Sequence, residues 1–265
     1  MSNEKMAPYK LEKSPADKSI LVLSGKGGVG KSTVAANLAI SLSLQGYATG
    51  LLDTDFHGPS IPKLLGMEGT TLTSPDGKRL NPAEIGSLKV ISVDFMLGSR
   101  TDAVIWRGPM KMNVIKQLFE DVNWGELDYM IIDCPPGTGD EPLSVVQLIP
   151  EPTGAVIVTT PQEISLSDVR RSIQFCHTLK LPVLGVIENM SGFVCPHCGE
   201  RTELFGSGGG ERMASEMGVP FLGRIPIEPE IVLSGDNGKP FVNHNGNSAF
   251  AKDFNGIVKD IVEKV

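Results

Sequence analysis

Strand-length apolar runs alternate with helical stretches along most of the chain, and this predicts a doubly wound α/β fold with a mainly parallel sheet flanked by helices. Two local signals agree. The apolar run from Ile20 to Leu23 leads into Ser24-Gly25-Lys26-Gly27-Gly28-Val29-Gly30-Lys31-Ser32-Thr33, which opens a helical pattern. Two further apolar strands end on acidic residues, at Asp53-Thr54-Asp55 and at Asp133. The carboxyl end of a parallel sheet is where ligands of such folds bind.

The glycine-rich stretch satisfies G-x-x-x-x-G-K-[ST] from Gly25 through Gly30, Lys31 and Ser32, in the strand–loop–helix context that gives a P-loop its meaning. Gly25, Gly27, Gly28, Val29 and Gly30 let successive N–H groups face a phosphate chain, and the helix start, with Thr33, adds its unpaired donors. Lys31 is expected on the β- and γ-phosphates and the Ser32 hydroxyl on Mg²⁺. A second lysine, Lys26, lies inside the loop. This resembles the deviant Walker A loop of the ParA/MinD/nitrogenase-iron-protein class, and the resemblance implies that Lys26 reaches a nucleotide across a dimer interface.

The following elements are read in order. Val34 to Leu44 marks a helix ended by Gly46, and Ala48 to Leu52 a strand. Asp76-Gly77 suggests a small edge hairpin between Gly66 and Leu88. Strands are expected over Leu88–Val93, Leu127–Ile132, Ala155–Thr160, Val183–Ile187 and Phe221–Ile225. Helices are expected after Trp106-Arg107-Gly108-Pro109-Met110 through Leu118, over Ser165–Leu179, and from Phe250 to Val265. Asp133 has the Walker B position, holding Mg²⁺ directly or through water. In the terminal helix Lys252, Lys259 and Lys264 are matched by Asp253, Asp260 and Glu263, a balance that favours docking on the core over a membrane surface.

With 265 residues, 40% hydrophobic and 21% charged, the chain suits one large domain, expected over 19–265 behind a flexible tail, Met1 to Lys18, that lacks the apolar core of a signal peptide. A formal net charge of −7 does not favour nucleic acid or an anionic membrane as partner. Four cysteines do not make a disulfide framework, and a cytoplasmic protein is expected. Cys176 reads as a small buried hydrophobe.

Cys195-Pro196-His197-Cys198 is the second chemically loaded stretch. Paired thiolates suit zinc or an iron–sulfur cluster, yet one pair fills half of a four-coordinate site, and no second C-x-x-C exists. A two-fold axis through the site would supply the other half. A redox dithiol and half a zinc ribbon stand as alternatives.

GKGGVGKST, DTDFHGPSIP, WRGPM, DCPPGTGD, ENMSGF and CPHCG occur in the order found in Mrp/ApbC-type proteins, from Lys18 to about Gly238. The chain thus resembles ATP-dependent iron–sulfur cluster carriers, P-loop NTPases of SIMIBI type. The resemblance implies an ATP-hydrolysing homodimer that holds a 4Fe–4S cluster on Cys195 and Cys198 of both subunits and passes it from a donor to apo-proteins. It places Asp55 where it orients the attacking water and contacts Mg²⁺ through water, Asn189 as the base-reading residue, and Pro226 near the adenine. It also makes Lys26, Lys31 and Asp55 the catalytic set. A ParA/MinD-like positioning ATPase and a zinc-stabilised nucleotide switch are the competing functions.

Overall fold

The computed structural model describes residues 10–96, 108–195, 197–239 and 248–265. Ten strands are formed among these residues: β1 (Ala16–Leu23), β2 (Thr49–Asp53), β3 (Ala83–Ile85), β4 (Leu88–Ser92), β5 (Leu127–Asp133), β6 (Gly154–Thr159), β7 (Val183–Glu188), β8 (Phe193–Val194), β9 (Arg201–Thr202) and β10 (Phe221–Arg224). The helices are α1 (Lys31–Leu44), α2 (Ile61–Leu64), α3 (Gly108–Glu120), α4 (Asp140–Leu148), α5 (Glu163–Thr178), α6 (Gly209–Glu216), α7 (Pro229–Asp236) and α8 (Ala249–Lys264).

Eight strands form one sheet in the order β10-β7-β6-β1-β5-β2-β4-β3, and only the β3–β4 edge pair is antiparallel. The apolar runs of β1, β5 and β6 are continuous, not alternating, because helices cover both faces of the sheet. One core layer joins α1 and α8 to the sheet through Leu38, Leu42, Phe254 and Ile261. The other joins α3, α4 and α5 through Leu118, Val145 and Ile173. At full burial each such side chain contributes about 1.5–3 kcal/mol.

Helix α1 ends where Gly46 takes φ 93°, with Gly46 N bonded to Ser43 O at 3.0 Å and Tyr47 N to Leu42 O at 3.2 Å. These two bonds satisfy carbonyls that the helix end would otherwise orphan. Helix α8 starts on Ser248, whose hydroxyl accepts from Ala251 N at 3.0 Å. Its apolar face is buried on the sheet, with Phe250 and Phe254 stacked at 5.2 Å, as the charge balance of its outer face led us to expect.

Two expectations are corrected. The ordered domain begins before Lys18: Leu11 is buried, its N–H donates to Leu148 O at 2.9 Å, and β1 starts at Ala16. Polar side chains hid this strand start, because Ser19 N donates to Thr153 Oγ1 and the Lys18 amine to the Tyr129 hydroxyl. Residues 1–9 lie outside the described residues, as do Trp106, Arg107 and Pro196. The edge hairpin turns at Gly86-Ser87, between β3 and β4, and not at Asp76-Gly77. Asp76 instead accepts from Lys78 N and Arg79 N, so its side chain closes a local turn without strands on either side.

Candidate nucleotide site and cysteine hairpin

Strand register brings the acidic residues together. Asp53 and Asp133 are direct partners in the β2–β5 ladder, and Asp133 is also opposite Val22, two residues before the glycine loop. The loop itself, Ser24 to Gly30, is held from three sides. The Ser24 hydroxyl donates to Lys26 O at 2.9 Å, Gly137 N donates to Ser24 O at 2.8 Å, and the Asn189 amide donates to Val29 O at 2.8 Å. Two glycines are required by space as well as by conformation. A Cβ on Gly25 would sit 2.4 Å from Asp168 Cβ, and one on Gly30 would sit 2.2 Å from Asn189 Nδ2, at φ 83°.

The Lys31 amine, buried, donates to Asp133 Oδ1 at 2.5 Å and lies 3.5 Å from Ser32 Oγ. Burial pulls the Lys31 pKa down, but Asp133, with Asp53 and Asp55 behind it, outweighs this and holds the ammonium above its ordinary value. Burial raises Asp133, and Lys31 offsets only part of that rise. Asp53 is pushed up to about 8, first by burial and then by the Asp133 charge. Its carboxylate accepts from Ser92 Oγ at 3.0 Å and from Asp55 N at 3.1 Å. Asp55 in turn accepts from His57 N at 3.1 Å and Gly58 N at 3.3 Å, which fixes the turn that carries it.

A cleft of about 360 Å³ is lined by Ser24, Lys26, Gly27, Gly28, Lys31, Ser32 and Asp55. It shares Gly30, Thr33, Ser60 and Leu64 with a groove of about 540 Å³ that Asn189, Pro226, Leu204, Phe205 and Val232 line. Polar cleft and apolar groove are therefore continuous, a shape that suits a phosphate chain at one end and a flat base at the other. Every nucleotide residue named from the sequence borders one of the two, apart from Gly25, which packs against Asp168, and Val29 and Asp133, which lie buried behind the loop.

The cysteines are placed differently. Cys195 and Cys198 sit on the tight connection between β8 and β9, where Cys195 N donates to Glu200 O at 2.9 Å and Gly199 N to Cys195 O at 2.8 Å. Cys198 is exposed and Cys195 half-buried. N–H groups of Cys198 and then His197 hold the Cys195 thiol below its ordinary pKa. Among the described residues no third histidine, cysteine or carboxylate joins them as a metal-binding group. The hairpin is rooted beside the groove: Phe193 bridges to Ile227, while Leu204 and Phe205 run from β9 into the groove wall. Cys134 and Cys176 are buried, and burial pushes Cys176 up to about 12.

Sequence reading missed Glu188, fully buried at the end of β7. It accepts from Ser191 Oγ, Gly208 N and Gly210 N, and so braces the stretch after Asn189 against the start of α6. The signal was present, an acidic residue closing an apolar strand, the same one that marked Asp133. It also missed His57, Glu141 and Lys111, which come together across 84 residues of chain and form no short motif.

A glycine loop between β1 and α1, a buried lysine on a strand-end carboxylate and a cleft at the carboxyl edge define a P-loop NTPase. The chain belongs to the NUBPL iron-transfer P-loop NTPase family, whose profile matches residues 16–262. It is 50% identical over 246 residues to the "Iron-sulfur cluster carrier protein" of Saccharolobus solfataricus, covering 92% of this chain and 82% of that one. It is 49% identical over 224 residues to the "Cytosolic Fe-S cluster assembly factor CFD1" of Saccharomyces cerevisiae, covering 82% and 76%. The solved nucleotide-binding protein of Archaeoglobus fulgidus, in complex with ADP, superposes with a TM-score of 0.75 at 42% identity over 85% of this chain and 88% of that one. The cell-division ATPase MinD of Pyrococcus furiosus shares the fold, with a TM-score of 0.68 at 23% identity over 94% and 99%.

Proposed function

We propose that this protein is an ATP-hydrolysing iron–sulfur cluster carrier, working as a homodimer in the cytoplasm, that takes a 4Fe–4S cluster from a donor and passes it to apo-proteins. The observation that carries this reading is the cysteine hairpin: two accessible thiols, half of a cluster site, rooted on the wall of a nucleotide groove. Cys195 and Cys198 of two subunits together give the four thiolates that such a cluster takes. The relatives named as cluster carriers and assembly factors support the same cargo. No helix among the described residues is long and apolar enough to cross a membrane.

In this reading the N–H groups of Gly27 to Thr33 hold the phosphates, Lys31 leaves Asp133 for the β- and γ-oxygens, and Lys26 reaches the nucleotide of the partner subunit. Asn189 and Pro226 flank the base in the apolar groove. Mg²⁺ fits the residues present, because Asp133 Oδ2 is buried with no hydrogen-bond partner among the described residues, behind a cleft that Ser32 and Asp55 line. Ser32 would hold the ion directly and Asp55 and Asp133 through water, and the ion would neutralise charge on the β- and γ-oxygens. Asp55 orients the attacking water, a task for which its two backbone donors fix it.

The test is to purify the protein without oxygen, load it with iron and sulfide, and count metal. About four irons per dimer, with ATP changing the rate of transfer to an apo-protein, is the expected result. Zinc alone would point to the nucleotide switch. ATP-dependent, salt-sensitive binding to DNA or liposomes without iron would point to the positioning ATPase.

A further inference from the structure

Three side chains from three separate elements meet beside the phosphate cleft. Glu141, in the first turn of α4, follows the loop that Asp133 opens. His57 follows Asp55 in the loop after β2. Lys111 comes from α3. The His57 Nε2 lies 3.0 Å from Glu141 Oε1 and 3.0 Å from the Lys111 amine, and that amine donates to the same Glu141 oxygen. Lys111 also sits 5.6 Å over the ring of Phe56, so it touches two successive residues of the Asp55 loop.

The three are not alike in exposure. The Lys111 side chain is 12% exposed, Glu141 33% and His57 71%. An isolated His–Glu pair in water would be worth little. Here Glu141 is held by a largely buried ammonium and offers His57 an oxygen already in place. Burial pushes Glu141 up, but the bonds from Lys111 and His57 outweigh it and keep the carboxylate below its ordinary pKa. The His57 backbone N–H is meanwhile one of the two donors on the Asp55 carboxylate.

We infer that Glu141, fixed by Lys111, is a positioning residue that grips His57 and thereby ties the Asp55 loop to the Asp133 loop, so that the two walls of the phosphate cleft move together. The inference deepens the ATPase reading and rests on it for its kinetic consequence. Both loops border the cleft, through Asp55, Gly58 and Pro136, and none of the three tied residues lines it. Its loss should loosen the Asp55 turn and leave the glycine loop intact. Turnover then falls while ATP binding holds.

The experiment compares wild type with Glu141→Ala, His57→Ala, the double variant and Glu141→Gln. Each alanine variant is expected to lower kcat about tenfold, the loss of one charge-assisted hydrogen bond in the transition state, with KM for ATP within about twofold of wild type. The double variant should fall no further than either single one, because both remove the same tie. Glu141→Gln, which keeps an acceptor, should regain most of the rate. Independent losses that multiply in the double variant, or a KM that rises with kcat unchanged, overturn the tie. Amide hydrogen exchange gives a readout that needs no turnover: the N–H groups of His57 and Gly58 should exchange about tenfold faster in Glu141→Ala than in wild type. Absence of ATP hydrolysis in wild type, together with this deprotection in Glu141→Ala, sinks the ATPase reading and leaves the tie standing. Unchanged exchange in that variant sinks the tie, whatever the turnover.

Discussion

The nucleotide cleft and the cysteine hairpin are opposite solutions to holding a ligand. The cleft is braced from within its own chain: its loop is held by Ser24, Gly137 and Asn189, its lysine is buried on Asp133, and side-chain volume is excluded at Gly25 and Gly30. The hairpin has two-residue strands, one exposed and one half-buried cysteine, and open space around Gly199. A site that must discriminate and react is built stiff, because catalysis needs groups placed before the reaction begins. A site that must load and release a cargo is built at the surface, where a partner can reach the ligands.

The largest expected effects separate the two regions completely. Lys31→Ala removes the phosphate charge and leaves the Asp133 carboxyl buried without its ion-pair partner, so ATP hydrolysis should drop to background. Iron loading under the same anaerobic conditions should stay near about four per dimer. Cys195→Ser and Cys198→Ser should do the reverse, with iron absent and ATP affinity by calorimetry unchanged. A cysteine variant that loses ATP binding would show that the hairpin is part of the cleft and break the distinction.

A smaller effect tests stiffness directly. Gly30 and Gly199 both have positive φ, 83° and 72°, but a Cβ meets Asn189 at the first and nothing within 4 Å at the second. Gly199→Ala should cost about 1–2 kcal/mol, the left-handed penalty alone, and keep its iron. Gly30→Ala should cost more, since Asn189 must give up its bond to Val29 O, and ATP affinity should fall with it. Thermal melts paired with nucleotide titration decide this, and equal losses at both positions would mean that the glycine loop is no stiffer than the hairpin. Smaller again is a difference in thiol reactivity. In cluster-free protein Cys195, with its depressed pKa, should alkylate at neutral pH, whereas Cys134 and Cys176 should stay unmodified until unfolding. Peptide mass mapping reads it, and labelling of Cys134 in the folded protein would contradict its burial.

The cleft was far more legible in the sequence than its surroundings. Its glycine loop and Asp133 are contiguous signals, set by backbone geometry and by the carboxyl end of a strand. The central strands were legible because β1, β5 and β6 are buried on both faces and carry unbroken apolar runs. The start of β1 was not, since Asp17, Lys18 and Ser19 are polar and only the partners across the sheet make them a strand. Neither was the β3 hairpin, where Gly86-Ser87 is a weaker turn signal than the Asp76-Gly77 pair that lost to it. Helices α6 and α7 escaped because each is only eight residues long, too short for a period to repeat, and α7 buries none of its side chains. The His57–Glu141–Lys111 meeting exists only once the fold has joined three distant stretches.

The last expected effect is a slope of stability with pH that belongs to the cleft alone. Asp53 is raised from an ordinary value near 4 to about 8, by burial first and the neighbouring Asp133 second. Between those two values the folded protein keeps a proton that the unfolded chain has released. Stability therefore falls as pH rises through that window, fully present below about 4 and lost by about 8. Asp53→Asn removes the titration but not the contacts, because its amide still accepts from Asp55 N and can donate to Ser92 Oγ, where the native carboxylate accepts from both. The variant should melt level with wild type near pH 4, pull ahead steadily as the pH rises, and hold a constant lead above about pH 8. No such window can arise at the hairpin from this cause, since its cysteines are not buried. Parallel melting curves for the two proteins across the whole range would show that Asp53 is ionised in the fold, and that Lys31 balances both carboxylates and not Asp133 alone.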